Sequence, residues 1–244
     1  MTEIAGRRVL VTGASAGIGA AIVRELAVRS ARIAGIARRA EPLDRLAKET
    51  GMVALPADVR DNNAVTKAVQ AAADALGGLD VLVNNAGTFR LGRVADGEFI
   101  DWQNMVEVNA LGLLTASKAA IPYLAGSEAG QIVNISSMSG RRVPGPAAGV
   151  YAGTKHAVHA ISQALRAELH DRGIRVTVVS PGFVRTNYGA YITDPEIRER
   201  NAAGQRDQGL APEQVAVQVV HILSTPRDVH LIEIALTSTR QEPS

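Results

Sequence analysis

Short apolar runs alternate with longer amphipathic segments along most of the chain. The apolar runs are rich in Val, Ile, Leu and Ala and have the length of buried strands, whereas the segments between them are typical of helices. The predicted strands are 7–12, 32–37, 52–57, 79–84, 131–136, 174–180 and 230–236. The predicted helices are 17–29, 42–50, 61–76, 101–125, 151–172 and 212–224. This alternation predicts an α/β fold, a Rossmann-type doubly wound parallel sheet of about seven strands.

One segment interrupts the alternation. Residues 185–211 are polar and contain two tyrosines and several glycines. A long connection of this kind often covers a binding site, so we expect a substrate lid, although a plain surface excursion stays open. No linker-like stretch or internal repeat divides the sequence, which favours a single domain over residues 1–244.

Composition and charge narrow the classes of function. The 26 basic and 24 acidic residues leave a formal charge of only +2, so we expect no nucleic-acid partner. The sequence has no cysteine, and its five histidines are not paired with carboxylates, so neither thiol chemistry nor a metal site is predicted. No apolar stretch reaches about 18 residues and the amino end lacks a signal-peptide pattern, so we expect a cytoplasmic protein with no membrane partner.

A glycine-rich turn follows the first predicted strand in "TGASAGIG". Glycines at a strand-to-helix turn let backbone N–H groups approach a pyrophosphate, which the helix N-terminus also favours. The spacing is G-x-x-x-G-x-G, not the G-x-G-x-x-G of many dinucleotide sites, so a turn that only packs stays open. The predicted cofactor contacts are Gly13, Ser15, Ala16, Gly17, Ile18 and Gly19.

Basic residues follow the second predicted strand. A carboxylate at this position would bind the hydroxyls of an adenosine ribose, whereas a guanidinium suits a 2′-phosphate. The sequence has Arg38 and Arg39 there and no carboxylate before Glu41. We therefore expect NADP(H) as the preferred cofactor and NAD(H) less, with two solvated loop arginines as the alternative.

Further candidates lie where other predicted strands end. Ligands of open parallel sheets bind at the carboxyl ends of the strands, which is where these residues fall. Local turn chemistry is the alternative for the Asn-Asn-Ala-Gly stretch. The predicted cofactor contacts are Asp58, Val59, Asn85, Ala86, Gly87, Pro181 and Gly182.

Six motifs, taken in order, resemble those of the short-chain dehydrogenase/reductase family. They are "TGASAGIG" at 12–19, "NNAG" at 84–87, the helix residue Asn109, "NISS" at 134–137, "YAGTK" at 151–155 and "PGFVRT" at 181–186. The resemblance implies a nicotinamide-dependent oxidoreductase with Asn109, Ser137, Tyr151 and Lys155 as catalytic residues. It also implies cofactor contacts from Tyr151, Lys155, Val184 and Thr186. Within the family, "HLIEIALTSTRQ" and "GLDVLVNNAG" resemble the NADPH-dependent subgroup that includes clavulanic acid dehydrogenase and serine or 3-hydroxy acid dehydrogenases.

The stretch "VYAGTKHAV" fits that chemistry. Tyr151 and Lys155 are one helical turn apart on the same face, surrounded by small residues, and we expect both to stay uncovered so that substrate reaches them. A free phenol has a pKa of about 10, and a neighbouring ammonium lowers it toward a useful range. Tyr151 can then give a proton to the oxygen of a reduced carbonyl. In isolation, a solvated Tyr/Lys pair would be the better interpretation.

The second hydrogen bond to that oxygen is assigned to Ser137. Strand alternation turns Ser136 to the other face, although Ser136 and Ser139 stay as alternatives. Arg141 and Arg142 follow; we expect solvated loop charges, with a grip on a substrate carboxylate as the alternative. The predicted substrate contacts are Ser137, Ser139, Tyr151, Phe183 and Tyr188, and Phe89, Arg90, Val143 and Tyr191 complete the expected pocket wall.

These expectations combine into an NADPH-dependent oxidoreductase that acts on a small or medium carbonyl or alcohol substrate, with Tyr151 as general acid/base. A non-catalytic NADP(H)-sensing regulatory protein on the same fold is the alternative. A third interpretation is an epimerase or dehydratase that takes a hydride from its substrate and later returns it. The resemblance also implies a homo-oligomer, a tetramer or a dimer, formed through helices such as 101–125 and 151–172.

Overall fold

Residues 3–186, 189 and 192–241 are described by the computed structural model. In this part of the chain, seven parallel strands form one sheet in the order β3-β2-β1-β4-β5-β6-β7. The order reverses direction between β1 and β4, which is the switch point where doubly wound folds bind ligands. The strands are β1 Arg8–Thr12, β2 Arg32–Ala37, β3 Val53–Pro56, β4 Val81–Asn84, β5 Gln131–Ile135, β6 Arg175–Pro181 and β7 Glu233–Leu236.

Helices cover both faces of the sheet. Alternate strand residues supply the two cores: Val9 and Val11 pack with α1, α2 and α8, whereas Leu10 packs with α3, α5 and α6. The predicted fold class, a doubly wound parallel sheet, is therefore confirmed. The helices are α1 Gly17–Ala27, α2 Ala40–Thr50, α3 Asn62–Leu76, α4 Phe99–Val106, α5 Gly112–Ala125, α6 Gly149–Glu168, α7 Pro195–Gln208 and α8 Pro212–Ser224.

The predicted helix 101–125 is interrupted in its middle. A π-helical turn over Glu107–Leu111 separates α4 from α5 and contains the buried Asn109. Turns of this kind are rare and commonly lie at functional sites. The predicted helix 151–172 begins earlier, at Gly149, and its last residues form a separate short turn at His170–Arg172.

Helix α7 was not predicted, because its sequence is polar nearly all round and has no apolar periodicity. A local start signal was nevertheless present in Asp194 followed by Pro195. The Asp194 carboxylate accepts hydrogen bonds from the backbone N–H groups of Glu196 and Ile197, at 2.9 and 3.0 Å. An aspartate N-cap with proline at the first helical position is a strong helix start. The lid prediction for 185–211 therefore falls on a segment that is largely helical.

Among the described residues, no helix is both long enough and apolar enough to cross a bilayer.

Gly19 fixes the packing of α1 against the edge of the sheet. A Cβ on Gly19 would lie 2.3 Å from the Gly13 carbonyl oxygen and 2.5 Å from the Asn85 amide nitrogen. That amide already donates to the carbonyl oxygens of Thr12 and Gly13, at 3.0 and 3.2 Å. The contact leaves no room for a methyl group, since the nearest atoms belong to backbone and to a bonded side chain.

We expect Gly19→Ala to lower the free energy of unfolding by about 1–3 kcal/mol, because the added methyl group overpacks this contact. Urea denaturation of the purified variant measures the change. Gly153→Ala is the matched control: a Cβ on this exposed residue of α6 meets no atom within 4 Å, so the same substitution should be neutral or stabilising. Equal stability of the Gly19→Ala variant and the unmodified protein would contradict the packing account.

Candidate active site

A continuous cleft of about 1630 Å³ opens along the carboxyl ends of the strands. It runs from the ends of β2 and β3, past the turn after β1, to the ends of β5 and β6. The topology thereby brings together residues that are far apart in the sequence, from Gly13 to Gln241. The predicted site residues that line it are Gly13, Ser15, Ala16, Gly17, Ile18, Arg38, Arg39, Asp58, Val59, Asn85, Ala86, Gly87, Ser137, Ser139, Tyr151, Lys155, Pro181, Gly182, Phe183, Val184 and Thr186.

Of the remaining predicted site residues, two lie outside the cleft wall and one is not described by the structure. Gly19 packs behind the glycine turn, as described above. Asn109 is 2% exposed and lies beneath the cleft instead of in its wall. Tyr188 lies outside the described residues, as does the expected wall residue Tyr191.

The glycine turn is shaped to accept an anion. Gly13 and Gly17 have positive φ angles of 66° and 53°, which favour glycine at both positions. Helix α1 begins without a capping side chain and without an acidic residue in its first turn. Its first backbone N–H groups therefore keep their capacity to bind a phosphate, whose charge the helix end also favours. These residues fit a dinucleotide pyrophosphate.

The end of β2 offers positive charge. The Arg38 and Arg39 side chains are exposed on the cleft and make no hydrogen bond or ion pair with a described residue. The nearby Asp58 is already engaged by Arg60, with a guanidinium nitrogen 2.7 Å from a carboxylate oxygen. Hydrogen bonds from Arg60 hold the pKa of Asp58 below its ordinary value, and the charge of Arg38 acts in the same direction. Asp58 thus stays ionised and bound to Arg60.

Helix α6 places Tyr151 and Lys155 at the inner wall of the cleft. Both side chains line it, yet they are only 6% and 4% exposed, so the expectation that the pair stays uncovered is wrong. The Phe89 ring covers Tyr151 edge-on, with ring centroids 4.6 Å apart and an interplanar angle of 82°. Phe89 lies after β4, so the sequence of α6 alone could not predict that its ring packs on Tyr151. The cleft gives access to both side chains.

The Lys155 ammonium is buried against the end of β5. Its Nζ donates to the Ile135 carbonyl oxygen at 3.0 Å and lies 5.9 Å from the centroid of the Tyr151 ring. Burial lowers the pKa of Lys155 to about 8. The side chain therefore remains mostly protonated at neutral pH, within electrostatic range of the phenol.

The hydroxyl groups of Ser136 and Ser137 have different hydrogen-bond partners. The Ser136 hydroxyl donates to the Lys155 carbonyl oxygen at 3.2 Å, so it is engaged with the helix backbone. The Ser137 hydroxyl lies in the cleft wall and accepts a hydrogen bond from the Ser139 N–H at 3.0 Å. A hydroxyl that accepts one bond keeps its own hydrogen for a ligand.

Asn109 connects two segments of the site from below. Its side-chain amide donates to the Thr88 carbonyl oxygen and to the Thr154 hydroxyl, at 2.9 and 3.0 Å, while its oxygen accepts from the Thr88 N–H at 2.7 Å. The Thr154 hydroxyl in turn donates to the Tyr151 carbonyl oxygen at 2.7 Å. Asn109 thus holds the loop after β4 against the turn of α6 that carries Tyr151.

The arginines and the valine that were expected near the substrate differ in their contacts. Arg90 pairs with Asp101 at 3.2 Å, and Arg141 turns to Glu233 of β7 at 3.6 Å, so neither is simply a solvated charge. The expected wall residues Phe89 and Arg90 line the cleft, as does Arg142. The expected wall residue Val143 is 57% exposed and is not among the described lining residues.

Two glutamines of the cleft were missed by the sequence reasoning. The Gln241 side-chain oxygen accepts from the Phe183 N–H at 2.9 Å, and that of Gln205 accepts from the Thr186 N–H at 3.4 Å. Both bonds hold the loop after β6, which carries the predicted nicotinamide contacts. No local pattern marks a glutamine for this role, because the contacts arise only when α7 and the carboxyl-terminal segment fold back on β6.

Comparison with known proteins agrees with this arrangement. The family described as "short chain dehydrogenase" matches residues 7–196. A glycine betaine reductase of Emericella nidulans is 36% identical over 98% of this chain, which spans only 19% of that longer protein. The chain therefore belongs to the short-chain dehydrogenase family, a family of oxidoreductases.

Two solved structures extend the similarity to the fold. An alcohol dehydrogenase from the archaeon Thermococcus sibiricus, complexed with 5-hydroxy-NADP, has a TM-score of 0.85 and 30% identity, covering 98% of this chain and 99% of the other. The closed form of a serine dehydrogenase complexed with NADP+ has a TM-score of 0.89 and 30% identity, covering 97% and 96%.

Replacing Lys155 by methionine should reveal the cost of burying its charge. Its pKa is 10.5 in the unfolded chain and about 8 in the folded one, so between these pH values the unfolded chain binds more protons. The stability of the unmodified protein relative to Lys155→Met should therefore rise as the pH increases from 8 to 10.5, by roughly 3 kcal/mol. Urea denaturation of both proteins across this range measures the difference. A stability difference that is independent of pH would contradict a buried ammonium.

Proposed function

We propose that this protein is an NADPH-dependent carbonyl reductase, reversible in principle as an alcohol dehydrogenase, in which Tyr151 is the general acid/base. The observation that carries the proposal is the continuous cleft whose wall contains the phosphate-accepting turn at one end and Ser137, Tyr151 and Lys155 at the other. The substrate is a carbonyl or alcohol compound of small or medium size.

The cofactor assignment draws support from the chain itself and from its relatives. The turn from Gly13 to Gly19 presents backbone N–H groups that can bind a pyrophosphate. Arg38 and Arg39 provide positive charge that can bind a 2′-phosphate. The loop from Pro181 to Thr186 takes the nicotinamide end, and Lys155 the adjoining ribose. The two solved structures named above contain NADP+ or an NADP derivative, which agrees with this preference over NAD(H).

A reduced nicotinamide bound beside Tyr151 would supply a hydride to the substrate carbonyl carbon. As negative charge grows on the carbonyl oxygen, the Tyr151 hydroxyl gives it a proton and the Ser137 hydroxyl donates a hydrogen bond to it. The phenolate left on Tyr151 is stabilised by the Lys155 ammonium, whose effect is strengthened by the low dielectric of its buried position. In the direction of alcohol oxidation, the same phenolate accepts the proton.

The remaining residues keep these groups in place. Asn109 positions the first turn of α6 through Thr154, and Phe89 limits the rotation of the Tyr151 ring. Ordered positioning of this kind contributes to rate because reacting groups must meet within a few tenths of an ångström. A non-catalytic sensor has no need of this support around a proton donor, which favours the enzyme over that alternative.

The lid and the oligomer are further parts of the proposal. Ile197 and Asn201 of α7 line the cleft, which supports a covering role for 185–211.

The helical segment from α4 to α5 exposes two large apolar side chains, Phe99 at 72% and Leu111 at 50%. Their exposure supports a homo-oligomer formed through that segment.

Removing the Tyr151 hydroxyl tests the reaction. We expect Tyr151→Phe to lower kcat by about 10²- to 10⁴-fold, since the proton donor is lost while the ring and its packing remain. The measurement is NADPH oxidation at 340 nm with a panel of aldehydes, ketones and β-keto acids. NADPH binding, followed by the change in its fluorescence, should be within a few-fold of the unmodified protein. Undiminished turnover by the variant would refute the role of Tyr151.

The coenzyme preference depends on Arg38. A hydrogen bond to a charged group contributes about 1.5–3 kcal/mol, so Arg38→Ala should reduce the ratio of kcat/KM for NADPH to that for NADH by about 10- to 100-fold. Arg45→Ala is the matched control, because Arg45 lies on α2, pairs with Glu41 and is outside the cleft lining. An unmodified protein that uses both coenzymes equally, or an Arg38→Ala variant with an unchanged ratio, would rule out the phosphate contact.

A further inference from the structure

Four polar side chains form a cluster on the side of β6 and α6 away from the glycine turn. We call Arg141, His159, Ser180 and Glu233 the Glu233 cluster. The Ser180 hydroxyl donates to the Glu233 carboxylate at 3.0 Å and lies 3.3 Å from the His159 Nε2, and the Arg141 Nε is 3.6 Å from the same carboxylate oxygen. None of these residues belongs to the proposed catalytic set.

Each member of the cluster lies on an element that carries part of the site. His159 is one turn beyond Lys155 on α6, and Ser180 directly precedes Pro181 and the nicotinamide loop. Arg141 ends the short turn that begins at Ser137, and Glu233 begins β7. The Glu233 carboxylate therefore links the serine turn to Ser180, just before the loop after β6, and Ser180 in turn links to His159 of α6.

The hydrogens of the cluster have a defined arrangement. The single hydroxyl hydrogen of Ser180 goes to Glu233, so the bond between Ser180 and His159 must use the Nε2–H of the imidazole. Burial lowers the pKa of His159, although the charge of Glu233 opposes this, and the ring is neutral at pH 7. The ion pair of Glu233 in this cluster is therefore with Arg141 and not with His159.

The serine turn rests directly on α6. A Cβ on Gly140 would lie 2.7 Å from the Lys155 carbonyl oxygen and 2.8 Å from the His159 ring carbon Cδ2. The backbone of the turn is therefore as close to the helix as a glycine permits. Two contacts limit its movement: the helix beneath Gly140 and the ion pair that holds the neighbouring Arg141.

We propose that Arg141 and Glu233 are positioning residues, whose ion pair holds the turn that carries Ser137 at a fixed distance from Tyr151. The ion pair contributes little to global stability, since the two side chains are 47% and 30% exposed and pairs of this kind are worth about 0–1 kcal/mol. Its effect falls on catalysis instead, where a displacement of about 1 Å can cost about 100-fold in rate. This inference rests on the proposed function.

The test uses Arg141→Met, Glu233→Gln, the double variant and Arg141→Lys. Each single change should lower kcat about 10-fold, with the carbonyl compound that the unmodified protein reduces fastest in the panel as the probe. The KM for NADPH should change less than 2-fold, and the free energy of unfolding should change by less than 1 kcal/mol. The double variant should be no slower than either single one, because all three lack the same ion pair. Arg141→Lys should recover part of the loss.

A second readout needs neither substrate nor coenzyme. The amide hydrogens of Ser139, Gly140 and Arg141 bond within the turn, to the Ser137 hydroxyl, the Ser137 carbonyl and the Met138 carbonyl. Hydrogen–deuterium exchange of this peptide should become at least several-fold faster in Arg141→Met and Glu233→Gln. The matched control is Arg227→Met with Glu128→Gln, which removes an exposed ion pair of 3.1 Å elsewhere and should leave exchange and kcat unchanged.

Unchanged exchange and kcat in the single variants would overturn the proposal, as would multiplicative losses in the double variant. A loss of kcat that follows a loss of folded protein would also overturn it, since the role would then be structural. If Tyr151→Phe keeps full turnover, the proposed function itself fails. If Tyr151→Phe is inactive while Arg141→Met is unaffected, only the positioning role fails.

Discussion

The burial of the Lys155 ammonium against the Ile135 carbonyl oxygen is the interaction on which the site depends. A buried cation is costly, and this one has a single hydrogen bond from its Nζ to a described residue. The ammonium lies at the end of β5, a strand in which every residue from Gln131 to Ile135 is buried. A positive charge in a poorly solvated position acts strongly on a neighbouring phenol. In the proposed mechanism, the poorly solvated charge of Lys155 is what stabilises the phenolate of Tyr151.

The parallel sheet explains why such distant residues meet. All six strand pairs run parallel, so every strand ends at the same edge and each following loop contributes to one cleft. The glycine turn, the arginines after β2, the serine turn and the loop after β6 are four such loops. Buried asparagines stabilise this arrangement beneath the cleft: Asn109 joins the loop after β4 to α6, and Asn134 of β5 bonds the Ser162 hydroxyl of α6 at 2.8 Å.

Much of this could be predicted from the sequence, for identifiable reasons. The strands are continuous apolar runs because both faces of the sheet are covered, and the cofactor and catalytic candidates form recognisable motifs at strand ends. Helix α7 escaped prediction because it lacks an apolar face, and its Asp194-Pro195 start is a weak signal without periodicity. The burial of Tyr151 and Lys155 was mispredicted because the ring that covers the tyrosine comes from Phe89, after β4. Gln241 and the Arg141–Glu233 pair depend on strand order, which no local pattern contains.

The central claim is that Tyr151, supported by a buried Lys155, faces the reacting end of a bound nicotinamide. A crystal structure of the complex with NADP+ tests it most directly. We predict that the nicotinamide ring lies between Tyr151 and the loop after β6, with its reactive C4 facing the space between the Tyr151 and Ser137 hydroxyls. We also predict that the adenosine 2′-phosphate lies within about 3 Å of the Arg38 guanidinium. A nicotinamide bound elsewhere in the cleft, or a Tyr151 hydroxyl that points away from its ring, would contradict the account.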